Sequence, residues 1–362
     1  MSPTPPSVFV GRYGYPTVSI GPLLPLGPAK HAERLGFPPD WWGQTVEDVI
    51  GLRSSLLRTK VSTPIRASNP QGIQLVSQEL AMAARPVDTE VVLERAPGQM
   101  RIRLGERIPP MGPSIGARRV SLAENPAVPR KVDYITSDTD VRAADAVGEL
   151  YATGYSTYYL QRLLSVGLLG RGHDRRLVPT RWSITAMDDM LGRLVVADVK
   201  DSPTIDTVQV FRSSYVGNHF HILLVPRIWS FEVLETWFKG AFWSQSTKVI
   251  NDYEGHRGRK SYAAQVGGAY YAARLSVLEH LHRKRRQATA IIYREITPQY
   301  WAPLGVWVIR ETTKKALMGK PQTFDTLNEA VNAITAEVRI DRWWTHSALL
   351  PEIRSQRTLL EF

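Results

Sequence analysis

The sequence contains no cysteine. This absence excludes disulfide bonds, thiolate zinc sites, iron–sulfur clusters and a cysteine nucleophile, so a metal site would have to use His, Asp and Glu. Apolar runs are short, and none approaches the roughly 18 residues that a membrane-spanning helix needs. Residues 1–6 lack the basic and apolar segments of a secretory signal, so the expected location is the cytoplasm, with no membrane partner. The absence of a Walker phosphate loop and of H-E-x-x-H argues against a nucleotide-driven motor and a zincin.

The composition is that of a globular protein with excess positive charge. The 362 residues suffice for two domains, and the formal net charge is +11. Residues 245–362 carry a net charge of +7, whereas the first 244 residues carry only +4. A basic excess favours a polyanionic partner, most simply DNA, and the alternative explanation is solubility.

The N-terminal part is predicted to combine loops with a few regular elements. Residues 1 to about 40 are rich in Pro and Gly, which excludes a long helix or a central strand and predicts an ordered loop that wraps over a core. Periodicity further predicts a helix over Trp42–Leu57, a hairpin of Thr89–Glu94 and Met100–Leu104, and helices over Asp138–Tyr151 and Ser156–Leu169. Asp138 or Thr139 is a candidate cap of the first helix of this pair, and Ser156 of the second.

The rest of the chain predicts alternating strands and helices. The predicted strands are Thr207–Phe211, His219–Val225, Ala288–Arg294 and Leu304–Arg310, and the predicted helices are Trp229–Phe238, Ser261–Arg286 and one opened by a capping box of Thr326 and Glu329. We therefore predict a mixed α/β (α+β) fold. It comprises a large N-terminal domain (1–244), a smaller basic α/β domain (245–350) and an exposed C-terminal tail (351–362).

The tail ends in a peptide with three regularly spaced anchor residues. Gln356, Leu359 and Phe362 are three residues apart, so a 3₁₀ turn would place them on one face. The two apolar side chains could then fill a pocket while the amide of Gln356 bonds backbone groups at its rim. This pattern matches the peptide that binds the PCNA sliding clamp, except that the second aromatic is missing. The alternative is the last turn of a docked helix.

Several longer blocks identify a family. They are Phe9–Pro16, Arg175–Ala186, Gly267–Arg274, Arg294–Pro298 and Pro303–Trp307. With the terminal peptide, these blocks resemble the archaeal Nre family over essentially the whole chain. The resemblance implies a DNA repair protein that binds the archaeal sliding clamp through the terminal peptide. Some family members carry a four-cysteine zinc element, which this chain cannot form.

An arginine-rich segment is the first candidate for DNA binding. It combines cations with an aromatic side chain that can stack on a base, in the set Arg171, Arg175, Arg176, Arg181 and Trp182. A charged turn leading into a strand is the competing interpretation. A second candidate is the Gly-containing loop 251–260, in which Arg257, Arg259 and Lys260 are candidate phosphate ligands. Arg283–Arg286 is either a DNA patch or a solvated helix end.

The alternative function is a metal-dependent enzyme acting on DNA or on nucleotide adducts. His219 and His221 are two apart in a predicted strand and would face one side, with Asp252 or Glu254 as a carboxylate ligand. Two polar residues on a half-buried strand explain the histidines equally well. No cofactor is predicted apart from the divalent metal that this alternative requires.

A second pattern would serve the same enzyme hypothesis. Asp188 and Asp189 precede an apolar run that leads to Asp198 and Lys200. This order of acids and lysine superficially resembles a nuclease core, in which two carboxylates hold Mg²⁺. Patterns this short also arise by chance.

Overall fold

The computed structural model describes residues 2–27, 31–97, 111–242 and 244–355. The chain divides into two compact units, Met1–Leu191 and Gly192–Phe362, with the division inside a long helix. The domain boundary near residue 244 remains a prediction, because it rests on the change in charge balance along the sequence and not on contacts between residues. The mixed α+β class is confirmed, because helices and two mixed sheets make up both units.

The first unit is built on a sheet with both parallel and antiparallel pairs. Its described strands are β1 (Ser2–Thr4), β2 (Val8–Val10), β3 (Thr17–Pro25), β4 (Leu56–Pro64), β5 (Val87–Leu93) and β6 (Ser114–Leu122). They lie in the order β1-β5-β6-β4-β3-β2, in which only the β4–β6 pair is parallel among the described strands. The helices are α1 (Ala32–Leu35), α2 (Val46–Ser54), α3 (Ile73–Met82), α4 (Arg130–Ser137), α5 (Ala143–Ala152), α6 (Thr157–Ser165) and α7 (Thr180–Lys200).

The second unit is a sheet covered on both faces. Its described strands are β7 (Val208–Tyr215), β8 (Asn218–Val225), β9 (Ser230–Trp237), β10 (Lys248–Glu254), β11 (Thr289–Ile296) and β12 (Gln322–Phe324), in the order β10-β9-β11-β8-β7-β12. The helices are α8 (Gly268–Lys284), α9 (Trp307–Met318), α10 (Leu327–Thr335) and α11 (Leu349–Ser355). Helices α10 and α11 pack on one face of the sheet, in an apolar cluster around Tyr293 and Trp343. Helix α8 packs on the other face, where it contacts Phe211 and Phe231.

Several predicted elements are confirmed. Strands β5, β8 and β11 lie where the sequence predicts strands, although the partner strand proposed for β5, Met100–Leu104, lies outside the described residues. Ser156 caps α6, since its hydroxyl accepts from the backbone N–H of Tyr159 at 3.2 Å. The capping box of α10 is present in both directions. These signals are local, so tertiary packing does not override them.

Two elements of the second unit are wrong in type. Trp229–Phe238 was predicted as a helix and forms strand β9, which lies between β10 and β11. Both faces of a central strand are buried, so apolar residues do not alternate along it. Leu304–Arg310 was predicted as a strand, but helix α9 begins at Trp307 and is buried by α8 and β7. Its first seven residues, Trp307–Thr313, are all buried, so this part of the helix lacks the amphipathic period that would identify it.

Two predictions for the first unit also need correction. Residues 17–25 form the inner strand β3 rather than a wrapping loop. The neighbouring strand β4 also bonds it through a side chain, because the hydroxyl of Thr59 donates to the carbonyl of Pro22 at 2.8 Å. Neither Asp138 nor Thr139 caps α5, whose N-cap is Arg142. The nuclease-like pattern of Asp188, Asp189, Asp198 and Lys200 lies on helix α7.

Candidate functional site

The arginine-rich segment between α6 and α7 forms one wall of a pocket in the first unit. We call this cavity of about 420 Å³ the arginine pocket; its polar and aromatic lining is Tyr15, Arg142, Arg171, Asp174, Arg176 and Trp182. Tyr15 comes from the β2–β3 connection, Arg142 from the N-cap of α5, and Trp182 from the first turn of α7. Residues remote in sequence therefore meet at one site.

The loop between α6 and α7 is held by Arg175. Its Nε donates to the carbonyl of Gly170 at 2.9 Å, its Nη1 to that of Thr136 at 2.8 Å, and its Nη2 to that of Asp138 at 2.6 Å. Partial burial accordingly lowers the pKa of Arg175 from its ordinary value. The predicted phosphate ligand Arg175 is thus turned towards the backbone, where it fixes the loop.

The neighbouring Arg176 lies in an extended segment and faces the pocket. The N–H of Ala67 donates to the carbonyl of Arg175 at 3.1 Å, and the N–H of Leu177 donates to the carbonyl of Ile65 at 2.7 Å. Successive side chains of an extended segment point to opposite sides. This alternation explains why Arg175 is bound to carbonyls while Arg176 is exposed and lines the arginine pocket.

Two exposed aromatic rings lie at the same pocket. The ring centroids of Tyr15 and Trp182 are 5.5 Å apart with an interplanar angle of 53°, and the side chains are 49% and 46% exposed. Aromatic faces left open in this way can stack on a nucleobase or on a guanidinium group.

The charge of the arginine pocket favours an anion. Arg142, Arg171 and Arg176 supply three cations against the single carboxylate of Asp174. Arg142 also pairs with Asp145 at 2.7 Å, but both side chains are largely exposed. Exposed ion pairs of this kind contribute little and are readily exchanged, so a phosphate can compete for the guanidinium. The pocket can therefore hold a phosphate beside a stacked base.

The other predicted DNA ligands lie elsewhere. Arg181 is exposed on α7 but does not line the arginine pocket. Arg257 and Lys260 are exposed beyond the end of β10, whereas Arg259 donates to backbone carbonyls of Tyr253 and Tyr262 and to the carboxylate of Asp252. Of the loop's three candidates, two remain accessible to a ligand and one stabilises the fold.

The proposed histidine–carboxylate metal site is not assembled. His219 and His221 lie on β8 and face one side, as predicted, but Asp252 and Glu254 lie on β10. Strands β11 and β9 separate them, which corresponds to roughly 14 Å at the usual strand spacing. No cluster of three or more potential metal ligands is found within the described ranges.

Both carboxylates are instead saturated by structural partners. Asp252 accepts from Arg259 at 3.0 Å and from the backbone N–H groups of Gln265 and Val266 at 2.9 and 2.8 Å. Glu254 accepts from Nε of Arg274 at 2.7 Å and from the indole N–H of Trp229 at 3.0 Å. Buried charges that are paired in this way hold the fold together and are poorly placed to bind a metal.

The two histidines line a second, smaller pocket in the second unit. We call this cavity of about 330 Å³ the histidine pocket; its polar lining is Arg212, Ser213, Ser214, His219, His221, Glu295, Glu337 and Arg339. Ser214 Oγ lies 2.9 Å from His219 Nδ1. Burial lowers the pKa of His221 to about 4, and it also lowers the pKa of His219. Both imidazoles are thus neutral at pH 7.

Sequence reasoning missed several lining residues of both pockets. Tyr15 and Arg142 belong to segments far from the arginine-rich loop, and no local pattern links them to it. For the histidine pocket a sequence signal existed. Arg212 and Ser214 occupy alternate positions on β7, and Glu295, near the end of β11, is paired with His219. Polar residues at alternate positions of two paired strands share one face. Glu337 and Arg339 lie in an irregular segment after α10 and could not be found in this way.

The predicted clamp-binding residues Gln356, Leu359 and Phe362 lie outside the described residues. The last described helix, α11, ends at Ser355 and buries Leu349, Leu350 and Ile353 against the sheet. Among the described helices, none is both long and apolar enough to cross a membrane.

Comparison with known proteins identifies the family. Residues 1–244 match the family described as "Archaeal Nre, N-terminal", and residues 254–362 match "Archaeal Nre, C-terminal". The chain is 39% identical over 345 residues to the DNA repair protein NreA of Archaeoglobus fulgidus, which covers 95% of this chain and 86% of the relative. It is 40% identical over 364 residues to NreB of the same organism, covering 99% and 90%.

A third relative comes from another archaeon. The DNA repair protein NreA of Haloferax volcanii is 38% identical over 339 residues, covering 91% of this chain and 81% of the relative. No solved structure matches the chain. The two family matches together with these identities show that the chain belongs to the archaeal Nre family.

Proposed function

We propose that this protein acts in DNA repair, binds a DNA strand at the arginine pocket and is recruited by the PCNA sliding clamp through Gln356, Leu359 and Phe362. The observation that supports DNA binding best is the meeting of three arginines and two exposed aromatic rings from separate segments of the first unit. The relatives named as DNA repair proteins support the wider role.

The chemistry of the arginine pocket suits a strand whose bases are accessible. Arginine binds phosphate oxygens through two parallel N–H groups, and an aromatic face accepts any base. A pocket with both elements binds single-stranded or distorted DNA better than an intact duplex, in which bases are stacked on each other. The net charge of +11 adds a long-range attraction to DNA.

Clamp recruitment rests on the spacing of the terminal motif. The spacing of three residues would place all three anchors on one face of a 3₁₀ turn, as a pocket-filling peptide requires. They follow α11, which is anchored by its buried leucines and Ile353. Recruitment to a clamp would add to modest DNA affinity, because it raises the local concentration of the arginine pocket at DNA.

DNA binding is tested by fluorescence anisotropy with a labelled single strand and a labelled duplex. Arg171→Gln and Arg176→Gln should each weaken binding of all sequences and reduce the salt dependence of the affinity by roughly one charge. Lys248→Gln is the charge-matched control, since Lys248 is exposed on β10 of the second unit and belongs to neither candidate DNA-binding segment. Equal losses in all three variants would attribute binding to overall charge and contradict a role for the arginine pocket.

Clamp binding is tested by calorimetric titration of the purified archaeal clamp. Leu359→Ala and Phe362→Ala should abolish binding, whereas Leu360→Ala, which changes the adjacent leucine outside the spacing, should not. Binding that survives in the first two variants, or that is equally lost in the third, would contradict recognition through this motif. The same three variants should leave DNA binding at the arginine pocket unchanged.

A further inference from the structure

The histidine pocket is built from neighbouring positions of three strands. Arg212 is paired with His221 in the β7–β8 register, and His219 is paired with Ser214 on β7 and Glu295 on β11. These side chains lie on the same face as the apolar cluster under α10 and α11, at the end of the strands that the cluster does not reach. The sheet face therefore changes from apolar to polar at this pocket.

Two hydrogen-bonding groups in this pocket are buried without a partner among the described residues. They are Nδ1 of His221, whose side chain is 8% exposed, and Nη2 of Arg212. Glu337 Oε2 lies 3.8 Å from His221 Nδ1, which is too long for a hydrogen bond. A buried polar atom that lacks a partner is costly, which is a reason to expect a ligand that supplies one.

The unpartnered groups favour an anion over a cation. A guanidinium N–H can only donate, so Arg212 Nη2 needs an acceptor. The acidic side of the pocket is already engaged: Glu295 accepts from the hydroxyl of Tyr293 at 3.2 Å and from the backbone N–H of Arg339 at 2.8 Å. Glu337 accepts from Arg212 Nε at 2.7 Å, but its side chain is 45% exposed and can turn into solvent.

We propose that the histidine pocket binds a phosphoryl group, whose oxygens accept from Arg212 Nη2 and from the imidazole of His221, with Arg339 and the hydroxyl of Ser214 at its rim. Tetrahedral phosphate offers several acceptor oxygens to donors that converge from different strands. The group could belong to a free nucleotide or to the terminal phosphate of a DNA strand. Phosphoryl binding here does not depend on the arginine pocket, which lies in the other compact unit.

Binding is measured by NMR on protein with isotope-labelled histidine, with His221→Gln used to assign the ring signals. Inorganic phosphate should shift the His221 signals saturably and raise the pKa of that imidazole, because an adjacent anion favours the protonated form. Absence of a saturable shift at up to about 10 mM phosphate in the wild-type protein would overturn the proposal. The titration itself is made on the wild-type protein, and the variant serves only to assign the signals.

Three variants define the site further. Arg212→Gln should weaken phosphate binding by roughly tenfold. Lys248→Gln, which removes an exposed charge that does not line the pocket, should leave phosphate binding unchanged. Glu337→Gln should strengthen phosphate binding by roughly fivefold, because it removes a competing negative charge. If the pocket were a cation site, Glu337→Gln would weaken ligand binding instead of strengthening it. Weaker phosphate binding in that variant would therefore overturn the proposal.

The two sources of the phosphoryl group are separated with matched probes. A deoxynucleoside monophosphate is compared with its unphosphorylated nucleoside, and a 5′-phosphorylated oligonucleotide with the same strand carrying a 5′-hydroxyl. If the nucleoside monophosphate binds more tightly at His221 than the nucleoside, the ligand is a nucleotide. If the 5′-phosphorylated strand binds more tightly there than the 5′-hydroxyl strand, the ligand is a DNA end. Equal shifts at His221 from both members of both pairs would contradict phosphoryl recognition.

Discussion

The guanidinium of Arg259 donates to the carboxylate of Asp252 at 3.0 Å, and both groups are largely buried. The sequence suggests a DNA ligand at one position and a metal ligand at the other, yet the two residues are each other's partner. With the N–H groups of Gln265 and Val266, they tie β10 to the segment that leads into α8.

We expect Asp252→Asn to lower the free energy of unfolding by about 3 kcal/mol, because Arg259 would keep a buried charge without a counter-ion. Urea denaturation followed by circular dichroism measures this loss. Lys260→Gln, an exposed neighbour, should change stability by less than about 0.5 kcal/mol. Equal stability of Asp252→Asn and wild type would show that the carboxylate is not structural.

Substitution of Arg175 should lower stability, whereas substitution of Arg176 should weaken DNA binding. Arg175→Gln is expected to cost about 2 kcal/mol or more of unfolding free energy, since buried carbonyls of Thr136, Asp138 and Gly170 would lose their donor. Arg176→Gln should leave stability within about 0.5 kcal/mol and affect only DNA binding. Thermal denaturation of the two variants, side by side with anisotropy, separates the roles. A stable Arg175→Gln protein with weak DNA binding would reverse the assignment.

Trp182 should contribute to DNA binding through stacking. Trp182→Ala is expected to weaken binding of a single strand by about 1–3 kcal/mol, whereas Trp182→Phe should keep most of the affinity because a flat ring remains. Tyr15→Ala tests the second ring in the same anisotropy assay. If Trp182→Phe and Trp182→Ala lose equal affinity, the contact is specific to the indole and stacking is not its basis.

Stability should fall in mild acid because of two buried histidines. Burial lowers the pKa of His221 and His280 to about 4 from an ordinary value of 6.5. Between these values the unfolded chain binds protons that the folded chain does not, so stability is lost as the pH falls from about 6.5 to about 4. Each histidine contributes on the order of 3 kcal/mol to this loss.

The pH dependence is checked by urea denaturation across that window. His280→Gln should flatten the profile while a variant of an exposed histidine, His173→Gln, should not. His280 lies at the end of α8 near Arg283 and Lys284, whose charges add to the effect of burial. An identical slope in wild type and His280→Gln would contradict this source of acid sensitivity.

How far the sequence predicts the fold depends on whether an element has a local signature. The capping box of Thr326 and Glu329 and the N-cap Ser156 involve groups three residues apart, so they form wherever the helix does. Strand β9 and helix α9 have no such signature, because an unbroken run of buried residues in each removes the periodicity that distinguishes a strand from a helix. Those two errors follow from tertiary position.

The candidate sites show the same division. The sequence by itself determined the family, the mixed fold class, the absence of thiol chemistry, and a set of arginines and histidines worth testing. Only the tertiary structure decided that Tyr15 and Arg142 join Arg176 at a pocket, while Arg175 turns to backbone carbonyls. It also placed Asp252 and Glu254 far from the histidines. The physical reason is that residue type fixes what a side chain can bind, whereas strand order, register and burial fix which groups it meets.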